Sequence, residues 1–218
     1  MKKLADALLY GIVDLGYVAV SEIERVTGEM LAGGVDVLQL RAKNRDVAEI
    51  EALGARLVPL TEGAGVPLII NDFPQLVPSL GAQGAHVGQD DYSVADVRWR
   101  AGRARAGEVP LPLIGKSTHS FAQAVAAEAE GADYIGFGPL HATPTKPGRP
   151  AIGLDEIARV HAAVHIPIFC IGGIKLENLD AVIAAGARRV VIVSGILQAP
   201  DIAEYARRVK ARLPAVAS

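Results

Sequence analysis

Gln39, Arg41 and Lys43 alternate along QLRAK, and in an extended chain that alternation sends all three to one side. An amide and two cations leaving one strand together suit a ligand rich in phosphate oxygens. Asn71-Asp72 close the apolar run PLII, and Asp90-Asp91 close GAHVGQ. Carboxylates on neighbouring strand ends can hold Mg²⁺ through one or two oxygens, with substrate phosphates and water completing the shell. Taken singly, each is as well suited to capping the helix that follows. Ser117 and His119 in GKSTHS offer a hydroxyl donor and an acid or base. The segment GPLHATPTKPGRPA, residues 138–151, adds Thr143, Thr145 and Lys146 between the stiffening Pro144 and Pro147. Its length suits a loop that closes over a ligand. IGGI, residues 171–174, and VSGI, residues 193–196, put glycines where backbone can approach an anion closely, although Gly172 and Gly173 also suit a tight turn alone.

Such groups need strands to carry them, and eight apolar runs are available: YGIVDL, VDVLQL, PLIIND, GAHVGQ, PLIGKS, YIGFGP, IPIFCIGG and RVVIVS. Amphipathic segments such as SEIERVTGEMLAG and FAQAVAAEAEG lie between them. Four times a helix-like segment runs through a glycine turn into an apolar strand, in LAGGVDVLQLRAK, LGAQGAHVGQDD, AEGADYIGFGP and AAGARRVVIVSG. Strand and helix alternating without a linker predict an α/β fold, one (β/α)8 TIM barrel over residues 1–218. The third and fourth helices are the weakest, one interrupted by Pro74 and Pro78 and the other rich in arginine. A barrel keeps its active site at the C-terminal ends of its strands, where all the polar residues above fall.

Composition excludes several function classes. The formal charge of −2 gives no field to recruit nucleic acid or an anionic membrane. Arg98, Arg100, Arg103 and Arg105 around Trp99 read as a solvated helix with arginines lying along it. No apolar run is long enough to span a bilayer, and the single Cys170 allows no internal disulfide, so a cytoplasmic enzyme is expected. Cys170 itself reads as an inert core residue. Half the residues are apolar but few are aromatic, which predicts a core of Val, Ile, Leu and Ala rather than rings. His161 and His165 suit packing or surface roles, His86 suits either an interior or a supporting role, and no spacing suggests zinc.

Over nearly its whole length the sequence resembles the thiamine phosphate synthase family, in QLRAK, ND after PLII, HVGQDD, GKSTH, GPLHATPTKPG, IGGI and VSGI, in that order. The resemblance implies a Mg²⁺-dependent transferase that joins an aminopyrimidine methyl diphosphate to a hydroxyethylthiazole phosphate, giving thiamine phosphate and pyrophosphate. It implies that Gln39, Leu40, Arg41, Ala42, Lys43 and Asn71 contact the pyrimidine diphosphate and that Asp72 and Asp91 hold the metal. It further implies Ser117 and Lys146 at the diphosphate, and Thr143, Pro144 and Thr145 at the thiazole. Gly173, Val193 and Ser194 would meet the thiazole phosphate. Arg41, Lys43, Ser117 and Lys146 would then stabilise the departing charge.

A related thiazole tautomerase is the nearest rival, because GKSTHS and VSGI suit it and His119 could move a proton there. A noncatalytic sensor of phosphorylated ligands on the same barrel is the rival from another class. Asp72, Asp91 and the Thr-Pro-Thr-Lys segment favour the synthase, since they make sense with a metal-bound diphosphate. The sequence leaves the oligomeric state open, and a homo-oligomer is compatible with it.

Overall fold

Eight parallel strands close on themselves in sequence order: β1 (Leu9–Asp14), β2 (Val37–Arg41), β3 (Leu68–Asn71), β4 (Gly84–Val87), β5 (Leu113–Thr118), β6 (Tyr134–Phe137), β7 (Ile168–Ile171) and β8 (Val190–Ile192). The computed structural model describes residues 1–102, 111–143 and 150–215. Pairing of Leu9 with Val190 joins β8 back to β1 and leaves no sheet edge. The chain is a (β/α)8 TIM barrel, as the alternation of elements predicts.

The described helices are α1 (Ile23–Ala32), α2 (Val47–Gly63), α3 (Leu76–Leu80), α4 (Val94–Gly102), α5 (Phe121–Ala129), α6 (Ile157–Ala163), α7 (Leu179–Ala184), α8 (Ser194–Leu197) and α9 (Ile202–Lys210). The four repeated turns carry Gly34, Gly81, Gly131 and Gly186 at positive φ, so each glycine does end a helix in the left-handed region. Local chemistry sets the starts too. Asp46 accepts from the Glu49 amide at 2.8 Å while the Glu49 carboxylate accepts from the Asp46 amide, a reciprocal cap that opens α2. The proline-interrupted α3 shrinks to 5 residues, because Pro78 has no amide to extend a ladder.

The core has two parts of different character. Between strands and helices it is mainly aliphatic, with Leu38, Leu40 and Ala42 of the β2 region among its members and Phe137 as a buried ring. Inside the barrel the expectation of a ring-poor core fails: Tyr10, Tyr134 and Phe169 pack together with centroids 5.3–5.8 Å apart. Overall composition averages over both layers, whereas a barrel's axis is filled by a few inward side chains that must be large. Cys170 points out of that axis into the aliphatic layer, where burial pushes its thiol up to about 12, and it is the buried core residue expected. The described arginines of α4 serve the chain itself: Arg98 donates to Gly131 O and Asp133, and Arg100 lies 4.2 Å over the Tyr92 ring. Arg103 and Arg105 lie outside the described residues. No described helix is long and apolar enough to cross a membrane.

Candidate active site

The C-terminal mouth of the barrel opens into a cavity lined by residues of all eight strands and of loops that follow them. Alternation on β2 sends Gln39 and Arg41 into it and turns Leu40 and Ala42 into the helix layer, which leaves the latter pair only backbone groups to offer at the rim. Asn71, Ser117, His119, Thr143, Gly173, Val193 and Ser194 also line the cavity. Polar donors from β2, β3 and β5 thus face the glycine loops after β7 and β8 across a floor of Tyr10, Tyr134 and Phe169. Pro144, Thr145 and Lys146 lie outside the described residues.

Arg41 is held in place. Its Nη1 donates to Asp14 Oδ2 at 2.6 Å, with the carboxylate side chain 2% exposed and the guanidinium 13%. A second N–H, from Gly16, reaches the other carboxylate oxygen at 2.9 Å. Asp14 therefore fixes the cation's position at the mouth, whereas in the sequence it is only one residue of the apolar run YGIVDL. The signal was present: Tyr10, Ile12 and Asp14 share one face of β1, so an acid at its end must point inward.

Lys43 makes an ion pair with Asp72, so a proposed diphosphate ligand and a proposed metal ligand already touch at the rim. Asp72 adopts φ +64°, a left-handed conformation that Asp tolerates better than most residues, and its amide donates to His86 O at 2.9 Å. Neither Asp72 nor Asp91 caps a helix. Gln75 occupies that position for α3, and the Asp91 carboxylate instead accepts from Gly88 N at 2.6 Å. At the start of α4 the Ser93 hydroxyl accepts from the Asp96 amide. The two acids stand just beyond neighbouring strands β3 and β4, Asp91 exposed to solvent. Among the described residues no cluster of three or more His, Cys, Asp or Glu could hold a metal alone. Two carboxylates are the donor set of a hard cation that takes its other oxygens from a ligand and water, so Mg²⁺ fits them.

The remaining histidines divide. His86 lines the cavity and bonds to both Tyr134 and Ser117, which makes it interior and part of the site at once. His119 Nδ1 lies 2.5 Å from Gly138 O. His161 is far less basic than usual, at about 4, because burial and then Arg188 and Arg189 oppose its charge. His165 is exposed beside Glu128.

Both glycine loops are tightly built. At Gly172, with φ +102°, an added Cβ would stand 2.4 Å from Pro139 Cα; at Gly173, with φ +63°, it would stand 2.7 Å from His141 Cβ. Amides of Leu140 and His141 donate to Ile171 O and Gly172 O, which stitches the β6 loop to the β7 loop beside the cavity.

Comparison with known proteins agrees with this architecture. Residues 9–196 match the model of the family described as thiamine monophosphate synthase. A thiamine-phosphate synthase of Thermus thermophilus is 46% identical over 88% of this chain and 89% of its own. One from Thermobifida fusca is 42% identical over 100% of this chain and 97% of its own. Among solved structures, a thiamine phosphate pyrophosphorylase from Pyrococcus furiosus superposes with a TM-score of 0.84 at 26% identity, over 96% of each chain. With 46% identity over most of both chains and a family match spanning the barrel, the chain belongs to the thiamine monophosphate synthase family.

Proposed function

We propose that the protein couples an aminopyrimidine methyl diphosphate to a thiazole phosphate, forming thiamine phosphate and releasing pyrophosphate, with Mg²⁺ held by Asp72 and Asp91. The observation that carries this reading is the two-sided cavity. Gln39, Arg41, Asn71 and Ser117 line one side, while Gly173, Val193 and Ser194 on the β7 and β8 loops line the other. That is chemistry for two phosphorylated partners, and the family match names the reaction.

The chain's own groups account for each step. Gln39 and Asn71 orient the pyrimidine, and the loops after β7 and β8 hold the thiazole phosphate by backbone N–H groups. The bond between the exocyclic methylene and the diphosphate oxygen breaks, and the thiazole nitrogen captures the resulting cation. Arg41, Lys43, Ser117 and Lys146 stabilise the departing diphosphate. Bound Mg²⁺ would supply further neutralisation of that charge. The Lys43–Asp72 pair supports the assignment, since it sets a cation and a metal-type carboxylate at the same point of the rim. The ring faces of Tyr10, Tyr134 and Phe169 limit the water that would otherwise trap the cation, and alignment of both substrates supplies the proximity term. No side-chain nucleophile is required.

Incubation with both phosphorylated substrates and Mg²⁺, followed by mass analysis, tests this directly. Thiamine phosphate and an equal amount of pyrophosphate are expected. An isomerised thiazole carboxylate phosphate, or binding of both substrates without turnover, would replace the reading with the tautomerase or the sensor.

A further inference from the structure

We propose that the hydroxyl of Tyr134 is a positioning group that holds His86 in the tautomer protonated on Nε2, with Tyr10 kept by Gln39 from taking the Tyr134 proton, and that Ser117 is thereby presented to the substrate as a hydrogen-bond donor. Five polar side chains form an unbroken chain through the barrel interior. Gln39 Nε2 reaches Tyr10 Oη at 2.8 Å, and Tyr10 Oη reaches Tyr134 Oη at 3.0 Å. Tyr134 Oη lies 3.2 Å from His86 Nδ1, and His86 Nε2 lies 2.9 Å from Ser117 Oγ.

The direction of the protons follows from one end. An amide nitrogen only donates, so Tyr10 accepts from Gln39. Tyr10 is 1% exposed, and among the described residues its hydroxyl has one other hydrogen-bonding neighbour, Tyr134. The Tyr10 proton must go there or remain buried and unpaired. Tyr134 has then accepted once, and its own single proton goes to His86 Nδ1. A ring nitrogen that accepts carries no proton, so the imidazole proton sits on Nε2 and is donated to Ser117 Oγ. Ser117, which lines the cavity, keeps its own proton for the ligand. The opposite order, with Ser117 donating to His86, would aim both Gln39 and Tyr134 donors at Tyr10 and strand its proton. Burial drives both phenols well above their usual range, so neither ionises to escape the constraint.

The consequence for recognition rests on the reaction proposed above. A Ser117 fixed as donor complements a ligand atom with a lone pair, such as a diphosphate oxygen, and rejects one that presents an N–H at that point. Tyr134 would not touch the reacting atoms to do this; it acts through His86.

Multiple-bond proton–nitrogen correlation spectra of the full chain labelled with ¹⁵N at histidine read the tautomer directly. In the wild type, His86 is expected to show the pattern of an Nε2–H ring, with Nδ1 at the shift of an unprotonated nitrogen that accepts a hydrogen bond. Tyr134→Phe keeps the ring and removes the donor, and should move the Nδ1 resonance towards the unbonded value. Tyr10→Phe should leave the Nε2–H pattern in place, because among the described residues the Tyr134 proton still has only His86 to receive it. An Nδ1–H pattern in the wild type, or an Nδ1 resonance unmoved by Tyr134→Phe, overturns the proposal. None of these readouts needs turnover, so the proton order and the coupling reaction stand or fall separately.

Discussion

Asp14 and Arg41 are direct partners in the β1–β2 register, which is why a strand-end acid and a strand-end cation form one nearly buried pair. Arg41 was legible from the alternation in QLRAK; its anchor was not, because strand pairing across 27 positions is decided by the closed sheet and not by local pattern. Replacing one member of a buried pair leaves the other charge uncompensated. Asp14→Asn should therefore lower stability by about 3 kcal/mol in urea unfolding. It should also raise the KM for the pyrimidine diphosphate, since Arg41 loses its fixed position. An unchanged KM would detach Arg41 from the diphosphate. Asp91 belongs to a different class of residue, exposed and bonded to the nearby Gly88 amide. Asp91→Asn should leave the unfolding free energy within about 0.5 kcal/mol of wild type, as an exposed site does. Turnover should then require several-fold more Mg²⁺, and a Mg²⁺ titration superimposable on the wild-type curve would remove Asp91 from the metal site.

At the scale of elements, strands were the most legible feature, because each is a short apolar run closed by polar residues that then arrive at the mouth. Helix lengths were less so. Nothing local in VSGI distinguishes a glycine turn from the 4-residue α8 that it opens, whereas Pro78 did mark α3 as an interrupted helix. The glycines of the β7 loop also changed meaning. Backbone approach to an anion was the expected reason for Gly172, and the structure adds a second, the closeness of Pro139 in the neighbouring loop. Gly172→Ala would meet both positive φ and a backbone atom at 2.4 Å, whereas Gly81→Ala meets positive φ of +69° with open space around it. The first should cost more than about 2 kcal/mol and the second about 1 kcal/mol. Urea unfolding of both variants checks this. Equal costs would mean that the loop after β6 yields to the methyl, and that the two loops do not brace each other.

For the molecule as a whole, closure brings together what sequence distance hides. Tyr10 and Tyr134 are 124 positions apart, each the first or second residue of an ordinary apolar strand, and only the barrel makes them hydrogen-bonded neighbours. The opposite end of the barrel is tied by a similar long-range device. Asp36, just before β2, accepts from Lys2 at 2.8 Å and Lys210 at 2.5 Å through one carboxylate oxygen, and from the Leu8 and Leu9 amides through the other. One carboxylate thus fastens the N-terminal segment and α9 beneath the seam where β1 meets β8. Burial opposes its charge, but the two ammonium groups and two amides outweigh burial and hold its pKa below the usual value of 3.8. A carboxyl whose pKa is lower in the folded state stabilises the fold above the unfolded-state value and loses that contribution as pH falls through the folded one. Stability from Asp36 should accordingly be complete above about pH 5 and decline below about pH 4. Asp36→Asn should unfold at lower urea at pH 7, by about 1.5–3 kcal/mol, the range for hydrogen bonds to a charged group. The difference between variant and wild type should narrow as the solution is acidified, because protonation removes from the wild type what the substitution has already removed. A gap that stays constant from pH 7 to pH 3 would mean that shape and not charge makes Asp36 the fastening of the barrel's base.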